Sequence, residues 1–572
     1  MSSKKIQVSL SFLLVLGTIA LLLVACGPTA EPAVEAPPKV AATEAPAEEA
    51  VPTEAPTEEE SPAEDTRGTL VIRGSKSSFP QNLNPLLYDV RLWLYDGLVR
   101  FDQDLKPIPD LAESWEISDD GLVYTFKLRE GVKFHDGEEM TADDVVYTTQ
   151  LTLDENVNSP YRSKFVIGGE PVLWEKVDDY TVRATLPQPS SSFLAKVSRA
   201  DEIFFTILPK HILEQCEDME TCDFSQNPVG TGPYKLVEYV PDQRVIMDAH
   251  DDYFQGTPGL KRVVRLAYPN EQAALAALKS GELDVASLRE AGNVNAAEED
   301  PNITVHRYDS NWIMAARFNM DNSILQDPLV RQAFSYAVDR ENLVKAVIGP
   351  TTNIGDSPIS IGWAASPNVA RYGFDPEKAM ELLEEAGWTE GADGIREKDG
   401  ERLSVSITFD PDYGKPDLAA GMQQLLKDVG IELKLRQMEP ATAEETIYQQ
   451  KDFDIYLDWQ GFGVDPDIAS RWTTVVEEEG TYLSNPSNYA NAEVDAAFKA
   501  AEVAPTFEER QEYLWEAQDL ITQDAAAVWL YLWQAQMAVS QNVDGLSLPP
   551  STADMDNTAI FREPWTVTST RP

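Results

Sequence analysis

Soft metal ligands are scarce in this chain. Among 572 residues there are three cysteines and four histidines, and His135, His211, His250 and His306 lie far apart with no ligand-like spacing. That argues against a zinc or nickel site built from local motifs, and neither a metal nor a cofactor is expected. Basic side chains are few as well, 46 Lys and Arg against 96 Asp and Glu, for a formal net charge of -50. Such a surface repels phosphate backbones and anionic bilayers, so nucleic acid is not an expected partner. The charge does not name a ligand, because strong acidity is first of all a solubility device. No segment reads as a P-loop, a dinucleotide fingerprint, a G-x-S-x-G elbow or a zinc motif. Carboxylates are too numerous for inspection to dismiss a glycosidase pair, but nothing marks one. The missing catalytic motifs favour binding over turnover, and no enzyme is expected.

What is present is a chain with 43% hydrophobic residues, long enough for two or three domains with their own cores. Its first part reads as an address. Lys4 and Lys5 precede an apolar run from Ile6 to Val24, the n-region and h-region of an export signal. The run ends in Leu23-Val24-Ala25-Cys26-Gly27, which resembles a bacterial lipoprotein box with Cys26 as the lipidated residue. A plain transmembrane anchor is the competing reading, since the stretch is nearly long enough to span. From 26 to 66 the sequence repeats Ala, Pro, Glu and Thr, which cannot repay the entropy of folding and reads as an extended tether. Export puts Cys216 and Cys222 in an oxidising compartment, so a small-loop disulfide is expected between them.

From Thr69 onward short strands and capped helices alternate. Tyr124–Arg129 and Val182–Leu186 alternate apolar and polar residues as half-buried strands, which implies an antiparallel or mixed sheet within about 93–224. Asp327-Pro328 and Asp375-Pro376 each supply an N-cap and a first-turn proline, and Gly387 a helix stop. Arg331 and Asp339-Arg340 read as a helix-end ion-pair cluster. Between Leu403 and Trp459 the order is strand 404–409, helix 418–429, strand 431–435, helix 441–450 and strand 453–459. That order implies a parallel sheet with right-handed crossovers. Ligands of such sheets sit beyond the carboxyl ends of the strands, here Asp410 to Tyr413 and Trp459 to Asp465.

Leu111-Ala112-Glu113-Ser114-Trp115, Asp120-Gly121, Tyr124-Thr125-Phe126, Val132 to Gly137 and Thr141 to Val145 form one ordered block. Asn227 to Tyr234, Gly281 to Val285, Val330 to Ala333, Leu382 to Trp388 and Asn491 to Asp495 form others. Together they resemble the large bacterial extracellular solute-binding proteins, family 5, which serve oligopeptide, dipeptide and nickel ABC importers. Most of these residues read as structural: Trp115, Phe126 and Phe134 as core, Gly230, Gly232 and Asp136-Gly137 as turns.

The resemblance implies an α/β fold, a periplasmic-binding-protein-like two-lobed clamp with an extra third domain and mixed sheets flanked by helices. Its lobe I would comprise 67–92, 225–318 and 534–572, its peripheral domain 93–224 and its lobe III 319–533. A monomeric receptor that delivers an oligopeptide-like solute to a membrane ABC permease is implied as well, with an oligosaccharide, a surface hydrolase or a sensor left open. In peptide-binding members an aspartate three residues after the tryptophan pairs with the peptide amine. Here Phe462 holds that place, and Asp465 is the nearest substitute. Trp459 is the leading ligand contact because it ends a strand at the expected crevice with a flat stacking face. Asp465, Trp312, Tyr88 and Asn82 complete the candidate set.

Overall fold

The computed structural model describes residues 66–74, 79, 82–87, 92–102, 104–198, 205–474, 485–546 and 563–571. The chain separates into two units, Met1–Ala63 and Glu64–Pro572. Only the second contains described residues, so the export signal, Cys26, nearly all of the tether and Tyr88 lie outside them.

A ten-stranded mixed sheet is the frame. Across it the strands run Tyr234–Val240, Arg244–Ala249, Leu260–Ala267, Gly68–Gly74, Val285–Leu288, Ala527–Ser540, Ile303–Phe318, Ile455–Gln460, Ser404–Phe409 and Glu432–Gln437. Two long strands join its halves. Ile303–Phe318 and Ala527–Ser540 pair antiparallel along their length, with an irregularity between Asp309 and Ile313 opposite Leu532–Gln534. On one side of that break Ala527–Ser540 pairs with Val285–Leu288, and on the other Ile303–Phe318 pairs with Ile455–Gln460.

The parallel unit expected between 403 and 459 is present. Ser404–Phe409 lies between Glu432–Gln437 and Ile455–Gln460 and is parallel to both. Its first helix, Lys415–Asp428, starts three residues earlier than the apolar spacing indicates, because Gly414 takes a left-handed φ of 73° and Pro416 sits in the first turn. The second helix is α-helical only over Pro440–Glu444. It widens to a π turn over Glu445–Gln450 and stops at Lys451 with φ 53°.

Helices Pro328–Ala337 and Pro376–Glu385 are capped as their sequences indicate, with Asp327 and Asp375 accepting from backbone amides. The ion-pair cluster expected at Arg331 and Asp339-Arg340 does not form. Arg331 is buried and donates to the carbonyls of Leu325, Gln326 and Asp524. Arg340 reaches the carbonyls of Gly355, Trp529 and Tyr372 as well as Asp356, while Asp339 caps helix Arg340–Val347. Buried loop carbonyls need donors, and a guanidinium supplies five.

Within 93–224 the sheet is wholly antiparallel, ordered Ala112–Ile117, Val123–Leu128, Thr181–Thr185 and Leu173–Asp178. Phe126 and Phe134 are fully buried in its core, and Trp115 packs against it half-buried. Gly137 has φ 96°, as a tight turn requires. Gly230 and Gly232 are glycines for another reason: a Cβ would stand 2.0 and 2.5 Å from backbone atoms of Leu94.

Candidate functional site

The carboxyl ends of the parallel strands meet the two long strands at one place. Met314 pairs with both Trp459 and Tyr531, so these side chains share one face of the sheet. Trp459 is 7% exposed and sits within an aromatic group: its ring centroid is 5.2 Å from Tyr531, 5.4 Å from Trp533 and 6.1 Å from Tyr413, all edge-on. Burial pushes the Tyr531 hydroxyl well above its ordinary range. Trp529 does not join this group. A one-residue slip at Leu530 turns it to the opposite face, where it packs on Trp472.

Several buried polar atoms here lack partners. Among the described residues, the buried atoms Asn311 Oδ1, Trp312 Nε1, Trp459 Nε1, Gln460 Oε1 and Gln460 Nε2 have no hydrogen-bond partner in the protein. Each such group costs about 1–3 kcal/mol if nothing satisfies it. Asn311 is held in place because its amide nitrogen donates to the carbonyls of Phe462 and Gly463, at 3.0 and 2.5 Å. Trp312 covers Gly461 so closely that a Cβ there would lie 2.6 Å from the indole.

Two cations at this edge hold three of its carboxylates. Lys415, buried at the start of its helix, donates to Asp410 and Asp458 at 2.5 and 3.0 Å. Burial alone would lower its ammonium, but the two carboxylates outweigh it and hold the group above the ordinary lysine value. Asp458 also accepts from the Tyr448 hydroxyl. Asp465 is held by both Nη atoms of Arg510, at 2.7 and 2.5 Å. Asp309, beside the break in the long strands, accepts from Asn353 and Gln534.

Of the candidates named from sequence, Trp459 and Trp312 lie at this crossing. Asp465 lies in the loop that follows, committed to Arg510. Asn82 is elsewhere: it is buried, donating to the Glu220 carbonyl and accepting from the Asn84 amide. That contact braces the loop closed by the Cys216–Cys222 disulfide. Asn311, Gln460, Lys415, Tyr531 and Trp533 are additions that sequence reasoning did not supply. Asn311 and Gln460 each adjoin a tryptophan already singled out, a signal that was readable. Tyr531 and Trp533 come from a strand about seventy residues further along the chain, and only the sheet order brings them in.

The frame is a mixed α/β sheet flanked by helices, with aromatic rings and unpartnered polar groups at its strand ends. The chain belongs to the bacterial extracellular solute-binding proteins, family 5, whose middle-region model matches residues 106–481. It is 31% identical to the oligopeptide-binding protein AppA of Bacillus subtilis over 474 residues, 81% of this chain and 85% of that one. The structure of AppA with a nonapeptide is similar at a TM-score of 0.65, covering 88% of this chain and 99% of AppA, at 28% identity. The ABC transporter substrate-binding protein CtaP of Listeria monocytogenes matches at a TM-score of 0.75 and 30% identity, over 89% and 100% of the two chains. NikZ of Campylobacter jejuni, solved with Ni(L-His), matches at 0.68 and 28%, over 88% and 99%.

Proposed function

We propose that this protein is the receptor of an ABC importer, capturing an oligopeptide-like solute between two closing lobes and releasing it unaltered to a membrane permease. The lobes are those drawn from sequence, 67–92, 225–318 and 534–572 against 319–533, with 93–224 peripheral. The break in strand pairing at Asp309–Ile313 and Leu532–Gln534 supports a hinge there. A ligand touching both lobes binds the closed form better and shifts the population towards it, which is the occupancy signal a permease can read. Lipidation of Cys26 would tether this monomer to the outer face of the membrane. Among the described residues no helix is long and apolar enough to cross one.

The observation that carries the reading is the set of five unpartnered polar atoms on Asn311, Trp312, Trp459 and Gln460, with the aromatic group that includes Trp459. A solute lying across the strand end would supply partners to these groups, which stand on both faces of the strand. The test is native mass spectrometry of the purified protein to weigh any co-purified solute, followed by calorimetry with Trp459→Ala. The variant should keep its fold and lose about 1–3 kcal/mol of binding. Unchanged affinity removes Trp459 from the site, and steady product release from a peptide or glycan panel defeats the receptor reading.

A further inference from the structure

We infer that the group recognised at the crossing is uncharged and both donates and accepts hydrogen bonds, as an internal peptide amide or a sugar hydroxyl does, so that binding does not require a free terminal ammonium. This rests on the crossing being the solute site and goes on to say which chemistry it selects.

The unpartnered atoms comprise three donors, Trp312 Nε1, Trp459 Nε1 and Gln460 Nε2, and two acceptors, Asn311 Oδ1 and Gln460 Oε1. Their parents Asn311 and Gln460 are 4% and 3% exposed, so water does not readily satisfy them. The orientation of Asn311 is not free, since its nitrogen must face the two carbonyls of the Phe462–Gly463 loop. An ammonium only donates and would leave all three donors unmatched. A carboxylate only accepts and would leave both acceptors unmatched. A hydroxyl or an amide can meet both kinds.

The charges nearby lead to the same conclusion. Asp465 has Arg510, and Asp410 and Asp458 share Lys415, so these carboxylates are already supplied with a cation. Asp309 is bound by two neutral amides. An anion buried here would meet Lys415 and Arg510 already paired, and a cation would find only Asp309 without a cation of its own. Successive side chains of a strand point to opposite faces, so a solute meeting both Trp459 and Gln460 lies across the strand end. There the indoles of Trp312 and Trp459 offer apolar area beside their N–H groups, as sugar rings and peptide planes both use.

The experiment is calorimetric titration of the full mature chain with three probes: free-amine oligopeptides, the same peptides N-acetylated and C-amidated, and neutral oligosaccharides. Blocked peptides should bind within about threefold of the free ones, or a neutral oligosaccharide should bind in their place. Gln460→Leu should weaken the bound probe by about tenfold or more while its thermal melt stays in place, because an apolar near-isostere removes unmatched groups without strain. Asp309→Asn should leave affinity unchanged. A tenfold loss on acetylation, or on Asp309→Asn, overturns the inference and leaves the receptor reading standing. If no probe binds and no solute co-purifies, it is the receptor reading that fails.

Discussion

The indole of Trp312 rests on Gly461 with no room for a methyl group between them, the Cβ position lying 2.6 Å from the ring. Gly461 immediately follows Gln460 and precedes the loop that Asn311 holds, so this contact sets where two of the unpartnered donors stand. Gly461→Ala should displace the indole, cost about 1–3 kcal/mol of stability as an overpacked site does, and lower solute affinity more than Trp312→Phe does. Calorimetry on both variants checks the order, and equal affinities for the alanine variant and the parent would dismiss the contact as irrelevant to binding.

Lys415 is the only cation paired with Asp410 or Asp458 among the described residues. Lys415→Met leaves two carboxylates facing each other at the strand ends. Because these carboxylates are partly exposed, the loss should be roughly 2–3 kcal/mol, below that of a fully buried pair. Urea unfolding measures it, and adding Asp410→Asn should recover part of the loss. A double variant no better than Lys415→Met alone would show that the triad is not the cause.

Arg510 ties Asp465 to the segment after the antiparallel sheet, where Ser191 accepts from it at 3.4 Å and also bonds to Ala501 and Glu502. Burial alone would lower the guanidinium, but Asp465 holds it above its ordinary value. Arg510→Gln strands a carboxylate that is only 13% exposed and should cost about 2–4 kcal/mol. With Asp465→Asn as well, the combined loss should fall short of the sum of the single losses, and strict additivity in the cycle would refute the coupling.

His135 and His250 both donate to the Gly232 carbonyl, at 3.0 and 3.2 Å. Burial holds the His135 imidazole down at about 3 and also lowers His250. In the unfolded chain a histidine titrates near 6.5, so below that pH the unfolded state takes up protons the native state refuses. Stability should therefore be full above pH 6.5 and fall as the pH drops towards 3. His135 is only half-buried, so the loss by pH 4.5 should be about 1–2 kcal/mol. His135→Gln should flatten that slope in denaturant titrations. Parallel slopes for variant and parent would rule out the pair as the origin.

Much of this was written in local sequence. Asp327-Pro328 and Asp375-Pro376 start helices because capping and a fixed proline φ act within four residues. The β-α-β-α-β order over 404–460 follows from apolar periodicity and gives the parallel unit whose carboxyl edge holds Trp459. The family blocks specify the class of protein, because so many ordered motifs reflect one shared fold.

Tertiary structure alone decided which atoms meet there. Tyr531 and Trp533 reach Trp459 only because Ala527–Ser540 pairs with Ile303–Phe318, and a single slipped residue sends Trp529 to the other face. Whether Asp465 stays available or is taken by Arg510, 45 residues away, likewise depends on chain packing. Local propensity acts over a few residues, whereas hydrogen-bond satisfaction and charge pairing are settled between segments far apart in the chain.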